Sequence, residues 1–420
     1  MSTRTSVPSV LTNLATMLPD LEALYKDLHS HPELSMEETR TAHLAAEGIR
    51  AAGYDVTTGV GKTGVVGVLR NGDGTVVMLR ADMDALPVKE ATGLPYASKV
   101  TATDRDGKTV PVAHACGHDM HVTWLVGAAT LLAQHRDAWS GTLLVIFQPA
   151  EETGQGAKAM IDDHLFSRFP KPDVVLGQHV MTMPAGTLNW RAGVVTSAAD
   201  SMEIRLFGRG AHGSMPQSSI DPVVMAASTV MRLQTIVSRE VAPTDAAVVT
   251  VGSLQAGAKE NVIPDEATLK VNVRTFDEGV RTHVLDAIKR IVKAESAASG
   301  ATKSPKFIPL DQYALVTNDP TATRRVVDAF HTYFAADRVR ETLPTSASED
   351  FGAFGTAAHA PSVFWFVGGT DADLYAKAKA AGRLDELPTN HNPRFAPVIH
   401  PTLETGVAAL VVAAQAWLSS

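Results

Sequence analysis

The sequence predicts an α/β protein whose main body is interrupted by a smaller α+β block. Three observations carry that prediction. The opening third alternates short, Val-rich, strand-like runs with stretches of helical apolar spacing, the pattern of a layered α/β architecture. From about Ser197 the texture changes to strict alternation, with Met202, Ile204 and Leu206 set between Glu203 and Arg205. From about Phe307 the α/β character returns. At 420 residues and 45% hydrophobic composition the chain exceeds what one core sustains, since single cores stop growing at roughly 250–300 residues. The expected organisation is a larger domain built from residues 1–196 and 307–420, with a second domain at 197–306.

Taken in order, residues 21–28 and 37–52 have helical apolar spacing, and 64–69 and 75–79 read as strands joined by the turn NGDG. Residues 142–147 and 173–177 are further apolar strands, and 122–132 is a helix. The stretch 75–81 runs into DMDALP, that at 142–147 into QPAEE, and that at 173–177 into QHV. In open α/β sheets ligands collect beyond the carboxyl ends of strands, so these acids and histidines can converge although they are far apart in sequence. Within the insert, Asp221 and Pro222 form a helix cap and first helical residue for 223–237. Strands at 247–254 and 267–275 and a helix near 282–296 follow. This β-α-β-β-α order predicts one helical face and one exposed sheet face.

The formal charge of −8, with no dense Lys/Arg run, argues against nucleic acid as a partner and favours small-molecule chemistry. Residues 1–35 lack a basic leader followed by a compact apolar run. No apolar run approaches the roughly 20 residues that span a membrane. A cytoplasmic protein is expected. The single cysteine, Cys116, excludes an intrachain disulfide and leaves a free thiol for metal binding or chemistry.

That cysteine sits in AHACGHDMH, at the predicted start of the helix at 122–132. A helix N-terminus, with its free N–H groups and positive dipole, is expected to favour the thiolate. Cys116 and His118 flank a glycine and can point to one side, as ligands of a borderline-soft divalent ion. The motif alone reads more readily as a buried packing thiol beside capping histidines. Glu151 and Glu152 follow a strand and Pro149; adjacent carboxylates are commonly solvated, but on irregular backbone they can aim differently. One can then hold a metal while the other takes a proton from water. His179 ends a strand and His391 stands before a proline in NHNPRF, and both taken singly are ordinary structural histidines. Jointly these residues supply Cys, Glu and three His from separated segments, with a spare Glu, which suits a hydrolytic metal site. A thiol hydrolase using Cys116 as nucleophile, with His118 or His114 as base, leaves the other residues unexplained.

RADMDALP, HACGHDMH, FQPAEE, GRGAHGSMP, NVIPDE, SEDF and NHNPRF span nearly the whole chain. As a set they resemble the M20 metallopeptidase family, and more narrowly its amidohydrolase branch of aminoacylases, hippurate hydrolases and auxin-conjugate hydrolases. The resemblance implies a zinc-exopeptidase-like domain with a central mixed sheet flanked by helices, and a ferredoxin-like lid or dimerisation domain. It implies Cys116, His118, Glu152, His179 and His391 as ligands of two divalent ions, Zn or Mn with Co or Ni also suitable, and Glu151 as general base. Asp84 would support the site, because Asp82 occupies the position that is His in the H-x-D element of sister branches. His212 would hydrogen-bond the substrate carbonyl oxygen, and Asn261 and Arg274 would hold its carboxylate. The position before SEDF is Ala347 rather than the usual glycine, and the APVIHPTLETG ending resembles some bacterial aminoacylases. The implied activity is hydrolysis of the amide of an N-acyl amino acid by a homodimer joined through the lid. The alternatives are a dipeptidase or carboxypeptidase of the same family, or an inactive ligand-binding homologue.

Overall fold

The structure is a computed structural model that describes residues 9–418. Residues 1–8, part of the stretch 1–35 in which no leader pattern was read, and 419–420 lie outside the described residues. The chain forms two compact units, one from residues 9–195, 317–343 and 350–418, the other from 196–316 and 344–349.

The first unit is built on a mixed eight-stranded sheet. In spatial order its strands are Asp55–Val60, Gly64–Asn71, Gly141–Gln148, Val76–Asp82, Val174–Pro184, Ser362–Thr370, Leu188–Trp190 and Val339–Glu341. The four central strands run parallel, and their near-continuous apolar runs are what burial on both faces demands. Alternation divides the faces: Val77, Leu79 and Ala81 join a core with the helices Leu14–Ser30, His118–Gln134 and Ile399–Gln415. Arg80 and Gln148 bond each other across the opposite face. The helix His118–Gln134 is buried along almost its whole length, so its apolar residues run all the way round rather than in one stripe. Asp82 lies in register opposite Gln148. Asp84 follows the strand Val76–Asp82 and Glu151 and Glu152 follow Gly141–Gln148, as expected of an open α/β sheet, but His179 lies within Val174–Pro184 rather than at its end, because pairing with Ser362–Thr370 carries that strand onward.

The second unit has a four-stranded antiparallel sheet in the order Ala247–Ala256, Glu266–Thr275, Ala198–Phe207, Lys306–Tyr313. The helices Pro222–Arg239 and Glu278–Ala298 pack on it through Leu233, Ile236, Ile288 and Ile291. The chain order β-α-β-β-α-β is that of a ferredoxin-like fold. Asp221 caps the first helix as anticipated, accepting from the N–H of Val223 at 2.8 Å. The sequence boundary after residue 306 falls at the start of the strand Lys306–Tyr313, which pairs with Ala198–Phe207. Its burial is slight, so it lacks the alternating apolar signal that marked its partners. Among the described residues no helix is long and apolar enough to cross a membrane.

Candidate metal centre

Three turns in the first unit bring the candidate ligands together. The first is at Cys116, Gly117 and His118. Gly117 has φ +83°, and a Cβ there would meet Val180 Cγ1 at 2.4 Å, so only glycine lets Cys116 and His118 flank the turn. His118 opens the helix with its Nδ1 2.8 Å from the carbonyl of Asp84. An imidazole must donate to a carbonyl, so Nε2 is left as the lone-pair nitrogen. That Nε2 is buried and has no hydrogen-bond partner.

The second turn carries the glutamates. Ala150 stands in the left-handed region at φ 49°, ψ 41°, at a cost of about 1–2 kcal/mol for a residue with a Cβ. The loop closes tightly behind it: Gly156 donates to the Ala150 carbonyl at 3.1 Å, and a Cβ on Gly156 would meet Pro149 O at 1.5 Å. Buried carboxylates receive the exposed backbone donors of the turn. Glu38 accepts from Ala150 N–H at 2.9 Å, and Asp84 accepts from Glu151 N–H at 3.0 Å and Glu152 N–H at 3.1 Å. The turn sends Glu151 Oε2 to 4.0 Å and Glu152 Oε1 to 3.9 Å from His118 Nε2. Glu152 Oε1 is a second buried atom without a hydrogen-bond partner.

The third turn brings His391, left-handed at φ 70° and tied by its N–H to Ala115 O at 2.7 Å. Its Nε2 lies 3.2 Å from Glu152 Oε2. Asn390 beside it donates to Cys116 O and Val180 O at 3.2 and 3.0 Å. His179 donates through Nδ1 to Val180 O at 2.7 Å, and its Nε2 approaches Cys116 Sγ at 3.5 Å. The candidate ligand atoms of Cys116, Glu152 and His391 lie within 4.8 Å of one another, as do those of His118, Glu151 and Glu152. Glu152 belongs to both groups. The donor set fits divalent ions: a cysteine sulfur, carboxylates and imidazole nitrogens, with the other ring nitrogen fixed by a backbone carbonyl in His118 and His179.

The electrostatics fit as well. Hydrogen bonds with Cys116 and Glu152 raise His391 to about 10. Burial, with His121 and His118 nearby, holds His179 well below the usual range. Burial pushes the Cys116 thiol up, and the Glu152 charge adds to it. The expectation that the helix N-terminus would favour the thiolate is thus corrected: desolvation and the neighbouring Glu152 carboxylate favour the neutral thiol.

Asp82, His118, His121 and His179 form another close group, but Asp82 and His121 in it are already bonded. Asp82 takes Arg80 Nη1 at 2.7 Å and His121 Nδ1 at 2.5 Å. Val180 N–H donates to His121 Nε2 at 2.9 Å, which leaves His121 no free nitrogen. His121 therefore supports Asp82 and the strand that bears His179. Arg80, almost wholly buried, also binds Gln148 Oε1 at 2.7 Å and Asp350 Oδ1 at 3.2 Å.

In the second unit His212 is exposed. Ser214 N–H donates to its Nδ1 at 3.2 Å, so Nε2 carries the proton and is a donor. Asn261 is exposed, and its carbonyl accepts from Gly213 N–H at 2.8 Å. Arg274 is half-buried and donates to Ser348 Oγ at 2.5 Å and Asn272 Oδ1 at 3.2 Å. Ser348 belongs to SEDF, a motif to which sequence reasoning attached no role.

Glu38, Asn390, Arg80 and His121 were not picked out as functional from the sequence. Glu38 precedes a helix and reads as an ordinary solvated acid at a helix start. It makes no side-chain cap bond and turns inward instead.

The family model described as peptidase family M20/M25/M40 matches residues 78–411. The thermostable carboxypeptidase 2 of Saccharolobus solfataricus is 37% identical over 82% of this chain and 84% of its own. The hippurate hydrolase of Campylobacter jejuni is 39% identical over 82% of this chain and 88% of its own. A crystal structure of a Bacillus subtilis protein, described as a dinuclear metal-binding peptidase from the M20 family, superposes with TM-score 0.75 at 28% identity. It covers 96% of this chain and 98% of that one.

Proposed function

The chain belongs to peptidase family M20/M25/M40, and on that premise we propose that it is a metal-dependent amidohydrolase of N-acyl amino acids, releasing a carboxylic acid and a free amino acid. The observation that carries this reading is the pair of buried, unpartnered ligand atoms, His118 Nε2 and Glu152 Oε1, 3.9 Å apart and beside Glu151. Burying such atoms unbonded is costly unless something binds them.

We assign Cys116, His118, Glu152, His179 and His391 as ligands of two divalent ions, Zn or Mn, with Co or Ni also compatible with the donors. Bound there, such an ion would lower the pKa of a water and polarise the substrate carbonyl. Glu151 takes the proton from the attacking water at a carboxylate oxygen and delivers it to the departing nitrogen. Asp84 keeps Glu151 and Glu152 aimed apart through their N–H groups. His212, protonated at Nε2, donates to the carbonyl oxygen as negative charge develops there. Asn261 and Arg274 receive the amino-acid carboxylate, for which the planar guanidinium suits a two-point contact.

The likeness to a carboxypeptidase supports a second reading, cleavage of a peptide's terminal residue. An N-acyl amino acid panel and a peptide panel, each assayed after reconstitution with Zn, Mn, Co and Ni in turn, separate the two. Preference for peptides with a free α-amine over N-acyl amino acids overturns the first reading. Retained activity after exhaustive chelation overturns both. We further propose a homodimer through the second unit. On the helix Pro222–Arg239, Val224 and Met231 are 65% and 73% exposed and lie on one face with Ala227, an apolar stripe that a second copy would cover.

A further inference from the structure

The left-handed turn at Ala150 is held from two sides. The φ and ψ of Ala150 set the angle between the peptide plane before it and the plane after it. The later plane is fixed by Asp84, which accepts Glu151 N–H, and by Gly156, which donates to Ala150 O. The earlier plane carries the Ala150 N–H, which bonds Glu38 Oε1 at 2.9 Å. Glu38 is anchored in turn: Oε1 also accepts Met36 N–H at 2.8 Å, and Oε2 accepts the Thr63 hydroxyl. Met36 precedes the helix Thr39–Ala51, and Thr63 lies in the turn before the strand Gly64–Asn71. The frame that grips Ala150 is thus drawn from elements remote in sequence from Glu151 and Glu152.

We propose that Glu38 is a positioning residue of the reaction, holding Ala150 in the left-handed conformation that turns Glu151 and Glu152 in their separate directions. The inference rests on the assignment of Glu152 as a ligand and Glu151 as the base. Glu38 touches neither substrate nor metal. It acts through one backbone hydrogen bond at the only turn that bears both glutamates. Without that bond Ala150 relaxes toward the right-handed region that its Cβ prefers. The planes then rotate, and both carboxylates move off line. A misplacement of about 1 Å in such groups costs roughly 10²-fold in rate.

The test compares reach with charge. Glu38→Asp keeps the charge but withdraws the acceptor by one carbon–carbon bond, about 1.5 Å; Glu38→Gln keeps the reach and loses the charge. In the reconstituted enzyme Glu38→Asp should lower kcat by about 10²-fold with KM within about threefold. It should also weaken Co²⁺ binding to the metal-free protein, followed calorimetrically, by roughly tenfold. Glu38→Gln should stay within about threefold of wild type in both. Ala150→Gly, which removes the Cβ penalty, should restore about tenfold of the lost kcat to Glu38→Asp. Equal losses in Glu38→Asp and Glu38→Gln, wild-type behaviour of Glu38→Asp, or no recovery with Ala150→Gly would each overturn the proposal. Loss of the fold in Glu38→Asp that Ala150→Gly does not correct would assign Glu38 to folding alone, and so also overturn it. If the wild type hydrolyses no N-acyl amino acid while the Co²⁺ differences hold, the substrate reading fails and the positioning role stands.

Discussion

The groups around Cys116 and those around His212 are held in opposite ways. In the first unit His118, His121 and His179 are buried, and each has its Nδ1 bound, to a backbone carbonyl or to Asp82. The glutamates are fixed through their own backbone N–H groups. In the second unit His212 and Asn261 are exposed, and Arg274 is half-buried on hydroxyl and amide partners. The contrast follows the work assigned to each. Groups that bind an ion and move protons must be placed to a fraction of an ångström, so their orientation is fixed before substrate arrives. Groups that grip a substrate end can remain solvated until it displaces their water.

Substitutions in the two regions should therefore fail differently. Glu151→Gln should lower kcat by about 10³-fold with metal content unchanged, measured by steady-state kinetics and elemental analysis. Turnover near the wild-type rate would remove Glu151 from the role of base. Cys116→Ser should weaken metal retention by at least roughly tenfold in competition with a chelator, while unchanged retention would return Cys116 to a packing role. Arg274→Lys, in the second unit, should raise KM by about tenfold with kcat within about threefold, because a point charge replaces the two-point fork. A fall in kcat with unchanged KM would erase the distinction between the regions.

The smallest effect concerns stability. His29 lies between Asp119 Oδ2 at 2.6 Å and Glu90 Oε1 at 3.1 Å. Burial works against its charge, yet Asp119 and Glu90 raise it from 6.5 to about 10. A pKa raised on folding stabilises the protein fully below the unfolded value of 6.5, and that contribution is lost as pH climbs through about 10. The Tm of the wild type should accordingly fall more steeply between pH 7 and 10 than that of His29→Gln. Parallel curves would show that the buried pair adds nothing across that window.

Much of the fold was legible because it rests on periodicity. The Val-rich parallel strands and the alternation of Met202, Ile204 and Leu206 have direct counterparts in the sheets. The strand Lys306–Tyr313 was not legible as part of the second unit, since few of its side chains are buried and its place rests largely on backbone pairing, with Phe307 against the core. At the site, residue type announced Cys116, Glu151 and Glu152. What residue type cannot announce is direction. Glu38 resembles any acid at a helix start, and the tautomers of His118, His121 and His212 depend on backbone partners that only the folded chain supplies. The helix N-terminus at Cys116 misled for a related reason, because sequence reveals the dipole but not the depth of burial.

The bracket around Asp82 limits how this site can be rebuilt. A designer wishing to import the H-x-D ligation of the sister branches would begin with Asp82→His. That exchange strips Arg80 of a carboxylate 2.7 Å away, while His121 loses the acceptor for its Nδ1 proton. The single change thus removes a partner from Arg80 and from His121 at once. Rebuilding the position therefore calls for compensating changes at Arg80 and His121 together with Asp82, so the three residues behave as one unit rather than as independent positions.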